Sequence, residues 1–473
     1  MRAALGLGLV AVVAVGCHKE AAAPAPSTVD LDAMWKLAPE GAIFGMILSP
    51  SAMQMTEHAW LDVFAFIHTA PELASIAKQL DDQLQRFGTA KPTFATLGLS
   101  TTGAAAVFMA RNGKVLSVIP LADRDKLIAS VHGTRGANSD VLNDNTCKPF
   151  HDVYMCAEDL ALFDLVGRGH LSAALADSRG DIELAGQNLP VGGVSISFGA
   201  VIQLARGAIT LRGAVTGIPK MVLSALGEGS KPRVQSGRSS GFAIAHLKTA
   251  VGVVPLPDDA KSFMASIADP LSLVMYSNSI DAQLPLTDPS VTKRIIDACG
   301  DGPLGKLGAR VANGTCELAL PNAPGMSISL WLERATLHAG QKTAPAGTSV
   351  ELTELGSEFA TTEWNDAFYG RGSILGMTTT VASHPQESAH VNMALRGMLM
   401  VNELGIGVRT ERDTLRFVLG ARTPVGQTPT TSPRSSPHSI SGHCVQAKAA
   451  SSRRASTRGA RRSRAMSTLA MPG

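Results

Sequence analysis

Val115-Leu-Ser-Val-Ile-Pro-Leu-Ala-Asp123 is the stretch on which the reading of this chain turns. Its apolar run predicts a strand, closed by Pro120-Leu121. Asp123 then opens a helix predicted to run through Val131. A carboxylate at that point accepts hydrogen bonds from free amides of the first helical turn. The same sentence is spelled again in Ile280-Asp-Ala-Gln-Leu-Pro-Leu-Thr-Asp288. There Asp288 precedes a helix predicted over Val291 to Ala298.

Working outward, other pieces recur in the same order. Gly41 to Leu48 reads as a buried strand, echoed by Gly241 to Leu247. Asn145-Thr146-Cys147 is echoed by Gly314-Thr315-Cys316. Gly167-Arg168-Gly169 and Gly370-Arg371-Gly372 both read as helix ends, where glycine suits a left-handed stop. Leu211 to Thr216 is echoed by Leu419 to Thr423. Further strands are predicted at Gly193 to Phe198, Ala208 to Ala214, Met326 to Leu332 and Thr414 to Leu419, by alternation or β-branching. Helical periodicity covers Met53 to Phe87 and, more briefly, Asp258 to Ile267. The expected fold class is therefore α+β: two related repeats of mostly antiparallel sheet with helices packed on one face. The expected organisation is a signal segment at 1–16, a tether at 17–29, repeats at 30–230 and 235–420, and a disordered basic tail at 425–473.

The N-terminus has Arg2 as its one charge before His18, then an unbroken Ala, Leu, Gly and Val run to Val15. That run is too short to span a bilayer and reads as a signal peptide. It ends Ala14-Val15-Gly16-Cys17, which resembles the bacterial lipoprotein signal box, with Ala14 where leucine is commoner. The resemblance implies a diacylglycerol on Cys17, and hence a membrane partner reached through that lipid. His18 after the cysteine predicts the outer membrane, facing the periplasm.

The chain has 473 residues and a net charge of +3, with 45% hydrophobic and 17% charged residues. The charge is unevenly spread. Nine of the 42 basic residues and none of the 39 acidic ones lie after residue 420. The body before the tail is mildly acidic, so a nucleic-acid partner has no electrostatic support. The tail itself is rich in Ser, Thr, Pro and Arg, a composition that buries too little apolar surface to order.

Six cysteines are present: Cys17, Cys147, Cys156, Cys299, Cys316 and Cys444. With Cys17 lipidated and Cys444 in the tail, four remain, and three connectivities are open to them. The expected pairs are the local ones, Cys147–Cys156 and Cys299–Cys316, the first stapling a β-hairpin. Neither pair has the spacing of a zinc knuckle.

The run Leu116 to Leu121, Asp123 and its helix, the cysteine-flanked hairpin and Ala157-Glu158-Asp159 before another helix together resemble a family of exported bacterial proteins. Many of its members are lipoproteins of GC-rich soil bacteria, with a domain of unknown function. The resemblance spans most of residues 30–420 loosely. It implies export and brings no catalytic residues.

Chemistry-bearing motifs are weak. Gly237-Arg-Ser239-Ser-Gly241 matches the pattern of a serine-hydrolase nucleophile, but it precedes a strand where that motif needs a following helix. Gly300-Asp-Gly-Pro-Leu-Gly305-Lys306 approaches a phosphate loop, yet Leu307 stands where Ser or Thr should bind magnesium. His384 and His390 are six apart, the wrong spacing to share a helix face. His151 is expected at a hairpin turn and His246 in a core strand. Asp81-Asp82 and Asp258-Asp259 read as a helix surface and a helix start. Trp60, Phe64 and Phe66 are expected as core. No catalytic residue, metal ligand or cofactor is expected. The leading expectation is a non-catalytic envelope lipoprotein that binds a protein or another envelope component. A carrier or sensor of an apolar ligand comes second, and a hydrolase using Ser239 third.

Overall fold

A computed structural model describes residues 31–422, leaving aside 70–73, 87–92, 151–152, 173–178, 206, 235–238, 248–257, 277–279, 302–303, 306–307, 313–314, 320–326, 341–351 and 372–401. Cys17, His151, His384, His390, Cys444 and the basic tail therefore lie outside the described residues.

The first stretch runs α1 (Leu31–Trp35), β1 (Ala42–Leu48), α2 (Pro50–Thr69), α3 (Ala74–Arg86), β2 (Ala105–Ala110), β3 (Val115–Ile119) and α4 (Arg124–Ser130). It continues through β4 (Asp140–Leu142), β5 (Asn145–Phe150), β6 (Val153–Ala157), α5 (Ala161–Asp164), β7 (Ile182–Val191), β8 (Val194–Ala205) and β9 (Ala208–Thr216). Helix α6 (Lys220–Ala225) leads into β10 (Gly241–Ala245), α7 (Asp258–Ala265), β11 (Leu271–Met275), β12 (Ile280–Pro285) and α8 (Pro289–Asp297). Then come β13 (Ala309–Ala312), β14 (Thr315–Ala319), β15 (Ser327–Glu333), β16 (Thr336–Gly340), α9 (Glu354–Thr361), β17 (Asp366–Arg371), β18 (Glu403–Glu411) and β19 (Thr414–Arg422).

All 19 strands join one antiparallel sheet. Its centre is the pairing of β9 with β19. Outward from that seam, one side runs β9-β8-β7-β1-β2-β3-β6-β5-β4. The other side runs β19-β18-β17-β10-β11-β12-β16-β15-β14-β13. The two strand orders correspond position by position until the last strand.

This overturns the α+β expectation of helices packed on one face. Strands outweigh helix, 45% against 26%, and a single sheet runs through both stretches. Helices also lie on both faces. Opposed residues of an antiparallel pair point to the same side, and neighbours along a strand alternate. Trp35 of α1 and Phe163 of α5 pack with Ile47, Phe108, Leu116, Val118 and Met155 on one face. Leu127 and Ile128 of α4 pack with Ile119, Tyr154 and Cys156, which point to the other. The physical reason is the alternation itself. Strands apolar at both parities need cover on both sides, whereas a single covered face would leave one parity polar.

Local chemistry explains the helix starts. Asp123 accepts from the Lys126 amide at 3.0 Å, and Asp288 from the Ser290 amide at 2.9 Å. Pro289, which has no amide to leave unpaired, takes the first position of α8. The other marker pair is a correction. Gly370 and Arg371 lie inside strand β17 and end no helix. A β-carbon on Gly241 would come within 3.0 Å of the Gly370 α-carbon, so glycine here serves close strand contact.

Candidate functional site

The face covered by α1, α5 and α9 is the drier one in the sheet centre. There Ile47, Glu183, Val201, Arg212, Val418, Gly407 and Ala367 are successive cross-strand partners from β1 to β17. Ile47, Glu183 and Val201 are fully buried. Glu183 accepts from the Trp35 indole at 2.7 Å and from Arg179 at 2.9 and 3.0 Å, which offsets the cost of burying its charge. Arg179 also donates to Asp32. Arg212 reaches Glu358 of α9 at 2.7 and 3.2 Å. A β-carbon on Gly407 would lie 2.7 Å from the Trp364 ring, so glycine there lets the indole sit flat on the sheet.

The opposite face of the same strands is apolar. Leu48, Ile182, Ile202, Leu211, Leu419, Ile406 and Phe368 are directly opposed in turn across β1, β7, β8, β9, β19, β18 and β17. With neighbouring strands about 4.8 Å apart, this row is about 29 Å long. The adjoining row is Met46, Leu184, Ala200, Gly213, Phe417, Val408 and Asp366. Asp366 is the one charged side chain in the two rows. Ile406 is 44% and Leu419 37% exposed at the centre of the sheet, where a core would hold them near zero. Val191, at the β7–β8 turn, is also exposed. Ile182 and Ala200 in the same rows are buried, so the open apolar surface centres on Ile406 and Leu419. Exposed apolar surface at mid-sheet marks an interaction site more often than an accident of packing.

The residues singled out from sequence are scattered. Ser239 is buried just before β10, while His246 follows the same strand. Seven residues of extended chain separate them, about 20 Å, so they form no catalytic pair. The His246 amide donates to Asp366 at 2.7 Å. The glycine loop at 300–305 follows α8, and Asp81 accepts from His68 of the preceding helix at 2.8 Å. Among the described residues no three His, Cys, Asp or Glu side chains are placed to hold a metal. No described helix is long and apolar enough to cross a membrane.

Both expected disulfides are present, Cys147–Cys156 and Cys299–Cys316. The first joins directly opposed residues of the β5–β6 hairpin. The second ties the end of α8 to β14. They are consistent with an exported protein that meets an oxidising compartment.

The strongest buried electrostatic group is structural. Asp140 is fully buried and accepts from Arg124 at 2.7 and 2.8 Å and from the Tyr154 hydroxyl at 2.5 Å. The Arg124 guanidinium, helped by Tyr154 and the Gly136 amide, holds the Asp140 carboxyl down at about 2 against its burial. Burial, then the bond to Asp140, pushes the Tyr154 hydroxyl up. This triad locks the start of α4 to β4 and β6.

Sequence reasoning missed the apolar face. Its signal was in the alternating strands, but which parity would be left uncovered depends on where distant helices land. No family model, curated protein or solved structure matches the chain.

Proposed function

We propose that this chain is an exported, non-catalytic binding protein that holds an apolar envelope component, such as a lipid acyl chain, against the central face of its sheet. The observation that carries the reading is the unbroken row from Leu48 to Phe368, with Ile406 and Leu419 exposed at mid-sheet. A ligand covering about 300 Å² of that face gains about 7 kcal/mol gross, which leaves a useful surplus after association costs. The single charge in the two rows favours an acyl chain over a charged peptide. The proposal keeps a lipid on Cys17 as the anchor, the outer membrane facing the periplasm as the site, and membership of the exported lipoprotein family that the sequence resembles. A protein partner at the same face is the second reading, and nucleic acid is no part of either. The two stretches, 30–230 and 235–420, are proposed to be related repeats. The matching strand order outward from β9 and β19 supports this.

The test is fluorescence titration of the full chain with N-phenyl-1-naphthylamine, followed by displacement with palmitate. Saturable binding, displaced by palmitate and weakened at least tenfold in Ile406→Asp, is expected. Absence of saturable binding, or an Ile406→Asp variant that binds as well as the parent, would remove the proposal. Because Ile406 is already 44% exposed, the substitution should leave the fold intact.

A further inference from the structure

The two wings of the sheet correspond in strand order but not in what they carry on the face that α1 and α5 cover in the first; in the second, α7 and α8 pack on the opposite face. In the first wing, Ile47 of β1 is followed outward by Ala106, Val118 and Met155, each the direct partner of the last. All four are 0–2% exposed and form the dry core under α1 and α5. In the second wing, Ile244 of β10 takes the place of Ile47. Outward from it come Ser272, Gln283, His338 and Trp331. One row over, Leu116 of the first wing corresponds to Asp281.

A core position has thus become, four times on the same face, a hydrogen-bonding side chain. Sequence drift does not favour this, because each buried polar group without a partner costs about 1–3 kcal/mol. The cost is visible here. The Ser272 hydroxyl is buried and has no hydrogen-bond partner among the described residues. Two strands further out, beyond Gln283, the His338 ring stacks on that of Trp331, 5.1 Å between centroids and 14° between planes. The stack occupies one face of the indole and fixes the ring. Two carboxylates border the patch: Asp281 is matched by Arg233 at 3.1 Å, and Glu333, on the same face of β15 as Trp331, lies 3.8 Å from the His338 ring. The patch therefore offers amide and imidazole groups beside a flat apolar ring, bordered by the carboxylates of Asp281 and Glu333.

We infer that this face of β11, β12, β16 and β15 binds a neutral saccharide. Sugar hydroxyls both donate and accept, which suits Gln283 and His338. The C–H face of a pyranose is flat and apolar, which suits the indole of Trp331. A neutral sugar is selected over an acidic one because Asp281 and the exposed Glu333 would repel an anion. The site is on the opposite side of the sheet from the apolar rows and does not depend on them.

The test uses the full chain and three neutral probes, chitotetraose, cellotetraose and maltotetraose, by isothermal titration calorimetry. At least one should bind. The informative variants restore the first wing's residues, Gln283→Val and His338→Met. Each should weaken binding at least tenfold with little change in Tm, because the residue it introduces is the one the first wing carries at the same place. Trp331→Phe should bind more weakly than the parent. The inference is overturned if none of the three sugars binds, or if Gln283→Val binds as tightly as the parent. A large fall in Tm in both variants overturns it as well, since the polar side chains would then be packing groups.

Discussion

Replacing Asp140 by Asn should destabilise the protein at neutral pH and much less in acid. The carboxyl titrates at about 2 in the folded chain, against an ordinary value of 3.8. That difference corresponds to about 2 kcal/mol of stability at pH 7. Losing one partner of a fully buried ion pair costs about 3–5 kcal/mol, and this sets the ceiling. Arg124 is 25% exposed, so water can solvate part of the orphaned guanidinium, and the lower figure should prevail. The sign follows from the direction of the shift. A carboxyl whose folded value lies below its unfolded one adds stability that is complete above about pH 4. That stability drains away as pH falls towards about 2. The amide of the Asp140→Asn variant has nothing to titrate, so the two proteins should converge. Urea unfolding of both, with disulfides intact, at pH 7 and again near pH 2.5 would measure this. A gap of the same size at both values would show that the Arg124–Asp140–Tyr154 triad acts by shape and not by charge.

Removing the disulfides should cost unequal amounts. Cys147–Cys156 closes a separation of 9 residues and Cys299–Cys316 one of 17. On the chain-entropy account their loss costs about 2.5 and about 3 kcal/mol, to be read from denaturant midpoints of the double-Ser variants. Equal or reversed losses would mean that the wing around each bridge matters more than the loop it closes. Cys17→Ser should abolish metabolic labelling with palmitate and move the chain from the detergent to the aqueous phase on Triton X-114 partition. A labelled Cys17→Ser protein would rule out lipid at that position.

Some of the fold is legible in the amino-acid order. Asp123 and Asp288 cap helices because the interaction needs only three or four consecutive residues, and both caps formed as read. The pairing of Cys147 with Cys156 and of Cys299 with Cys316 was legible for the same reason of nearness. Gly370-Arg371 misled, because glycine at a helix stop and glycine at a tight strand crossing look alike in sequence. The helical periodicity of Met53 to Phe87 belongs to two helices, α2 and α3, linked by the His68–Asp81 contact. The candidate apolar face was hidden, since Ile406 and Leu419 have the same pattern as residues of a closed core.

The amino-acid order alone determined the local events: where strands begin, which carboxylates open helices, which thiols are near neighbours and where the charge lies. Tertiary structure decided that β9 meets β19, roughly 200 residues further along the chain, and so turns two stretches into one sheet. It also decided that α9 covers one face of the seam, leaving Ile406 and Leu419 exposed on the other. The reason is physical. Caps and hairpins are set by bonds between close neighbours, whereas any strand edge can pair with any other, and only the burial achieved by the whole molecule chooses among them.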